Sequence, residues 1–163
     1  MSTEDVRAYL NNWNRGPDVV ELDASTATVE LAANALGVIP ARIAKSIALK
    51  IAGKGIAVIV VAGDVKLDNK KFRGVFSTKP RMLSSEEALE FTGHAVGGVC
   101  PFALPPEVEV YLDKSLERFQ TIFPACGSSN SMIELTPPEL EEYSKSKGWV
   151  DVCAEAKIKN GTD

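Results

Sequence analysis

The chain has 163 residues, of which 45% are hydrophobic and 25% charged, and its net charge is −4. That length predicts a single domain, residues 1–163, with enough buried surface for a proper core. The acidic balance argues against a general nucleic-acid binder, although six cations against one acid between Lys66 and Arg81 make a local basic stripe.

In chain order, Thr3–Trp13 has the spacing of an amphipathic helix, with Val6, Tyr9, Leu10 and Trp13 on one stripe and Ser2 as its N-cap. Arg15-Gly16-Pro17 stops it, and Val19–Leu22 reads as a short strand. A second helix is expected from about Thr28 to Gly37. Ile43–Ile51 and Ile56–Ala62, joined by Gly53-Lys54-Gly55, read as a hairpin. Its second arm is apolar on both faces and is expected in a sheet centre. A helix over Asn69–Val75 follows, then one opened by the capping box Ser84-Ser85-Glu86-Glu87 and ended by Gly93. Val108–Leu112 alternates as a strand, 119–125 and 131–135 supply two shorter ones, and Thr136-Pro137-Pro138-Glu139 opens a helix expected to reach Gly148. Trp149–Val152 closes the series. Helices and strands do not alternate strictly, so the fold expected is α+β, a mixed and largely antiparallel sheet flanked by helices.

The start Met1-Ser2-Thr3-Glu4-Asp5 lacks the features of a signal peptide, and no run approaches the about 18 apolar residues of a membrane span. Three dispersed cysteines (Cys100, Cys126, Cys153) suggest reduced thiols in the cytoplasm. With His94 the one histidine, no zinc pattern can be assembled, and no metal or cofactor is expected.

Lys45 interrupts an apolar run, Ile43-Ala44-Lys45-Ser46-Ile47-Ala48-Leu49. In a strand it shares a face with Ile43, Ile47 and Leu49. An ammonium there must snorkel to water, find a partner or face a functional cleft. The loop Gly97-Gly98-Val99-Cys100-Pro101 can bring backbone N–H groups close to a ligand oxygen, or can serve simply as a turn. Ala125–Asn130, with Gly127 and Ser128, is a similar loop. Asp113 follows an apolar strand and is a candidate partner for a lysine or a turn cap. No nucleophile–base pair can be read around Cys100 or His94.

Taken together, Lys45 in AKSIAL, Gly63-Asp64 before LDNKKF, Thr92-Gly93 before VGGVCPF, YLDKSL at 111–116 and AxGS at 125–128 resemble the YbaK/prolyl-tRNA-synthetase-associated editing domain over roughly residues 20–152. The resemblance implies a freestanding aminoacyl-tRNA deacylase. It would hydrolyse the ester of a small wrong amino acid such as alanine, cysteine or serine, above all on proline tRNA. It places the family's conserved lysine on Lys45, near the terminal nucleotide, and its GxxxP loop on Gly97–Pro101, whose N–H groups hold the aminoacyl carbonyl. Ser46, Asp113, Gly127 and Ser128 are the further substrate-binding candidates, and Lys66, Lys70, Lys71 and Arg73 the candidates for tRNA contact. Such a mechanism needs no protein nucleophile: water, or the thiol of a cysteinyl substrate, attacks. An aminoacyl-tRNA synthetase is a possible partner. An inactive tRNA- or synthetase-binding module of the same fold is the alternative.

Overall fold

The computed structural model describes residues 2–156; Met1 and residues 157–163 lie outside it. Helix α1 (Thr3–Leu10) opens on Ser2, whose Oγ accepts the Asp5 N–H while the Asp5 carboxylate accepts the Ser2 N–H, and it continues as a 3-10 turn to Trp13. Strand β1 (Val20–Glu21) precedes α2 (Val29–Leu36), which Thr28 caps and a left-handed Gly37 ends. Strands β2 (Ile43–Ile51) and β3 (Gly55–Ala62) form the expected antiparallel hairpin, in register from Ala44↔Ala62 to Ile51↔Gly55. Next come β4 (Val65–Leu67), α3 (Asn69–Phe76), β5 (Arg81–Met82) and α4 (Ser85–Thr92), the last opened by the Ser84–Glu87 capping box. Strand β6 (Glu109–Asp113), β7 (Phe123–Pro124) and β8 (Ser131–Met132) lead to α5 (Pro137–Ser144), then β9 (Trp149–Val150) and β10 (Cys153–Glu155).

The fold is α+β around a mixed sheet in the order β5-β2-β3-β6-β9, with β7 also alongside β2. The β2–β3 and β2–β5 pairings are antiparallel, whereas β2–β7, β3–β6 and β6–β9 are parallel. Two small antiparallel pairs, β1–β8 and β4–β10, flank it. Residues 57–62 of β3 are at most 1% exposed, which is why that strand is apolar on both faces and central. Val6 and Leu10 of α1 join the same core.

Several elements depart from expectation: the strands expected over 119–125 and 131–135 shrink to the two-residue β7 and β8, and α1 ends at Leu10. Strand β4 is too short to show a period of two, and it exists because β10 pairs with it. α5 stops at Ser144, where Lys145 takes the left-handed conformation (φ +54°), so Gly148 is not its terminator. The extended Trp149–Val152 segment is a two-residue strand only, since Asp113 captures the Val152 N–H.

Register defines the two sheet faces, because residues paired across strands project to the same side. Ile47, Ile59 and Tyr111 are aligned, and Phe76 of α3 packs edge-on against Tyr111 at 5.1 Å. Helix α3 therefore covers the face that carries Lys45. Gly63, at the end of β3, has no room for a side chain: an added Cβ would lie 2.1 Å from the Pro40 carbonyl oxygen and 2.7 Å from Val29 Cγ1. Gly63→Ala is expected to lower stability by about 1–3 kcal/mol, read as a lower urea midpoint at unchanged m-value.

Candidate active site

The site begins as a gap in the sheet. Along one edge β2 pairs with β3 throughout. Along the other, β5 covers Leu49 and Lys50 and β7 covers Ile43 and Ala44. Residues 45–47 between them have no strand partner on that edge. The gap arises because the chain leaves β5 at Ser84 to cap α4. A cavity of about 270 Å³ opens there. Residues 43–48 form its floor; Met82, Leu83 and Ala88 form one wall, Thr26–Val29 a second, and Val96, Gly97 and Val99 a third, with Ala125 and Met132 closing the base. The lining is mostly apolar, which suits a small organic group held by a few polar contacts.

Lys45 is half-buried and lines this cavity. Its Nζ donates to the Val65 carbonyl at 3.2 Å, and among the described residues no carboxylate comes within ion-pair distance of it. The nearby Asp64 is engaged by Arg118 at 2.6 and 3.0 Å. Burial lowers the Lys45 pKa from its ordinary value, and the Asp64 carboxylate partly opposes that shift. Of the fates open to a lysine in an apolar run, the structure shows the ammonium donating to a backbone carbonyl, while the residue itself lines the cavity.

Two further polar atoms are left unsatisfied. Ser46 Oγ and Thr26 Oγ1 both belong to cavity-lining residues, both are buried, and neither has a hydrogen-bond partner among the described residues. Such orphans are rare in folded proteins and call for an explanation. Thr26, only 5% exposed, is tied down by its N–H to the Ser129 carbonyl. Nothing in the sequence pattern singles it out; the polar run Ser25-Thr26-Ala27-Thr28 before an N-cap is the available cue.

The two small-residue loops meet. An added Cβ on Gly98 would lie 2.8 Å from the Ser128 nitrogen, 2.9 Å from Ser128 Cα and 3.0 Å from the Gly127 carbonyl carbon. Gly97 takes φ +93° against Ala27, which turns the chain toward the cavity. Of the five residues from Gly97 to Pro101, Gly97 and Val99 line the cavity. The Gly98 N–H is already given to the Ala95 carbonyl, whereas those of Gly97 and Val99 go to no other described residue.

Cys100 and Pro101 are buried behind the loop. Burial pushes the Cys100 thiol up to about 12, so it holds no thiolate at neutral pH and is no nucleophile. His94, fully buried, donates from Nε2 to the Phe102 carbonyl at 2.9 Å, with Cys100 Sγ 3.5 Å away. Its pKa is lowered, chiefly by burial. Both side chains brace the loop from behind.

Three substrate-binding candidates take structural roles outside the cavity lining. Asp113, 2% exposed, accepts the Ser115 N–H at the start of a 3-10 turn and the Val152 N–H, each at 2.9 Å. Gly127 turns with φ +92° against Val6. The Ser128 hydroxyl is held by Thr3, Asn130 and Ser131 at 2.7–2.9 Å. Ser46 alone of that set reaches the cavity. Among the tRNA-contact candidates, Lys71 is engaged by Asp151 and the Cys153 carbonyl, while Lys66, Lys70 and Arg73 are exposed. Among the described residues no group of three His, Cys, Asp or Glu side chains could hold a metal ion, and no helix is long and apolar enough to cross a membrane.

The buried thiols carry a stability prediction. Cys100, Cys126 and Cys153 all have pKa values raised above 9.0, chiefly by burial. The folded state then keeps protons that the unfolded chain releases, so this contribution is intact below pH 9 and falls away as pH rises from 9 toward the folded values. The urea midpoint should drop between pH 8 and pH 10.5, and less steeply in Cys100→Ala.

A mixed sheet with an edge gap, and a small, mostly apolar cavity lined by one lysine and part of a glycine loop, describe the class of domain and its site. The chain belongs to the aminoacyl-tRNA editing domain family, whose model matches residues 23–143; the family acts on aminoacyl-tRNA. The chain is 58% identical over 153 residues to the uncharacterized protein YwhH of Bacillus subtilis, covering 94% of this chain and 98% of that one. It is 28% identical over 111 residues, 68% of each chain, to an Enterococcus faecalis protein named "Putative Cys-tRNA(Pro)/Cys-tRNA(Cys) deacylase EbsC". Among solved structures, one described as "a putative trans-editing enzyme for prolyl tRNA synthetase" superposes with a TM-score of 0.83 at 30% identity, covering 95% of this chain and 97% of the other. The hypothetical protein APE2540 superposes with a TM-score of 0.78 at 27% identity, covering 90% and 99%.

Proposed function

We propose that this chain, acting in trans as one domain, hydrolyses the ester between a small amino acid (alanine, cysteine or serine) and the terminal adenosine of a mischarged tRNA, with proline tRNA as the acceptor. One observation carries the reading: Lys45, Ser46, Gly97 and Val99 meet around a cavity of about 270 Å³, a size that suits a small acyl group. The aminoacyl carbonyl lies against the Gly97–Val99 turn, whose unengaged N–H groups stabilise the oxyanion that develops. Lys45 holds the phosphate or sugar of the terminal nucleotide. A water, deprotonated by a polar group of the substrate, adds to the carbonyl carbon; the bond to the ribose oxygen then breaks and that oxygen takes up the proton. In a cysteinyl substrate the thiol takes the place of water. The buried Cys100 and His94 are not needed. A cavity of this size selects by volume, where each extra methylene changes affinity by roughly 1–3 kcal/mol.

The test is a deacylation panel on proline tRNA charged with alanine, cysteine, serine or proline. Turnover of at least one small noncognate ester, with cognate prolyl-tRNA spared, supports the reading. Binding of these tRNAs with no hydrolysis of any ester overturns it in favour of a binding module. The exposed cations of β4 and α3 give a second measurement. Replacing Lys66, Lys70 and Arg73 by alanine should raise KM for tRNA with little change in kcat. It should also flatten the salt dependence of KM, by a slope of about 0.7–0.9 for each phosphate that is no longer neutralised. An unchanged slope would place the tRNA backbone elsewhere.

A further inference from the structure

We propose that the main chain of Ser46 is the docking edge for the aminoacyl group: its N–H and C=O hold the substrate's carbonyl oxygen and α-amino group as a neighbouring strand residue would. This rests on the reading above and names how that site recognises its substrate.

Strand register sets which backbone groups of β2 face the gap. Lys50 is opposite Arg81 in the antiparallel β2–β5 pairing, and two residues further along the Leu83 N–H donates to the Ala48 carbonyl at 3.4 Å. Within a strand the N–H and C=O of a residue point to the same edge, and alternate residues point to opposite edges. Ala44, Ser46, Ala48 and Lys50 therefore direct their backbone groups to the outer edge of β2. Ala48 and Lys50 face β5, and Ala44 faces β7 opposite Pro124. Ser46 falls between. Had β5 continued, Ser85 would have been opposite it, but the chain has by then turned into α4. The Ser46 N–H and C=O consequently point into the cavity and meet no described residue. An unpaired edge of this kind is a template for an added strand, and the cavity has room for one residue of it.

An aminoacyl ester carries an amino group and a carbonyl on either side of one Cα, the same spacing that a strand residue presents. Against Ser46 it can complete one hydrogen-bonded antiparallel pair, with the amino group donating to the Ser46 C=O and the ester carbonyl accepting the Ser46 N–H. The carbonyl has a second lone pair for the Gly97–Val99 turn, so the oxyanion would be held from two sides. Chirality follows, since side chains opposite each other in such a pair lie on one face with Cβ atoms about 4.5–5.5 Å apart. The substituent of an L-aminoacyl group sits beside the unpartnered Ser46 Oγ, whereas that of a D-aminoacyl group is sent to the other face of the sheet.

Two measurements test this. In the first, nitrogen-15-labelled protein is titrated with amide-linked, non-hydrolysable L-alanyl, D-alanyl and N-acetyl-L-alanyl derivatives of 3′-amino-3′-deoxyadenosine. The expected result is a downfield shift of the Ser46 amide resonance with the L-alanyl compound, and at least about 10-fold weaker binding of the other two. Equal binding of all three, or tight L-alanyl binding without movement of the Ser46 resonance, overturns the proposal whether or not the protein is a deacylase. In the second, tRNA carrying alanine is compared with tRNA carrying lactate, in which a hydroxyl replaces the amino group. Loss of a charge-assisted hydrogen bond should lower kcat/KM about 10- to 100-fold. Equal turnover of both esters refutes the amino-group contact while leaving the deacylase reading intact.

Discussion

Lys45→Ala is expected to lower kcat/KM for deacylation about 100-fold, the loss of one charge-assisted contact to the terminal nucleotide, and to leave the fold close to its original stability. The two halves of that expectation come from one observation. The ammonium is half-buried, has no carboxylate partner among the described residues and donates to the Val65 carbonyl, so its removal gives up one hydrogen bond and relieves one desolvated charge. A structural lysine would behave differently, with activity falling only in proportion to folded protein. The pH profile separates the cases further. Lys45 is the charged form below its pKa, and that pKa is lowered by burial from 10.5. The ratio of wild-type to Lys45→Ala activity should therefore be flat near neutrality and decline toward unity as pH rises, with its midpoint below 10.5. Taking the ratio removes the alkaline hydrolysis of the ester itself. A ratio already near unity at pH 7 would sink the positioning role.

Gly98→Ala is expected to reduce both stability, by about 1–3 kcal/mol, and activity, by about 100-fold, the scale on which a displacement of about 1 Å acts. The added methyl group would meet main-chain atoms of Gly127 and Ser128 at 2.8–3.0 Å. Those atoms cannot rotate aside, and Gly127 is itself lodged against Val6 Cγ2 and the Ser2 carbonyl. The Gly97–Pro101 loop would have to lift, carrying Gly97 and Val99 out of the cavity wall. Trimming the neighbouring side chain with Ser128→Ala should give no rescue, because the obstruction is backbone. Rescue of activity by that second substitution, or a Gly98→Ala variant of full activity, would show that the loop tolerates displacement and has no part in orienting the carbonyl.

Local chemistry made much of the fold legible. The Ser84–Glu87 and Thr136–Glu139 capping boxes, the left-handed Gly37 and Gly93, and the Ile43–Ala62 hairpin are each set within a few residues of sequence, where hydrogen bonds between side chain and backbone decide the outcome. Strands β4 and β10 were illegible for the opposite reason: three-residue elements have no readable period and owe their existence to each other across more than eighty residues. Asp113 illustrates the same limit at the candidate site. An acid after an apolar strand is equally compatible with a lysine partner and with a turn cap. Only the placement of Ser115 and Val152 beside it selected the cap.

The amino-acid sequence by itself determined that a lysine would stand in a core strand and that two glycine-containing loops would follow it, because composition and turn chemistry are local. It also carried the pattern of the editing family. Tertiary structure alone decided what those pieces do together. It set the Lys45 ammonium against Val65, seated Gly98 on the Gly127–Ser128 backbone, buried Cys100 so that it stays a thiol at neutral pH, and left the outer edge of Ser46 without a described strand partner between the end of β5 and the arrival of β7. Pairing partners, burial and strand register are properties of segments distant in the chain, and the gap at Ser46 exists only because two such segments stop short of each other.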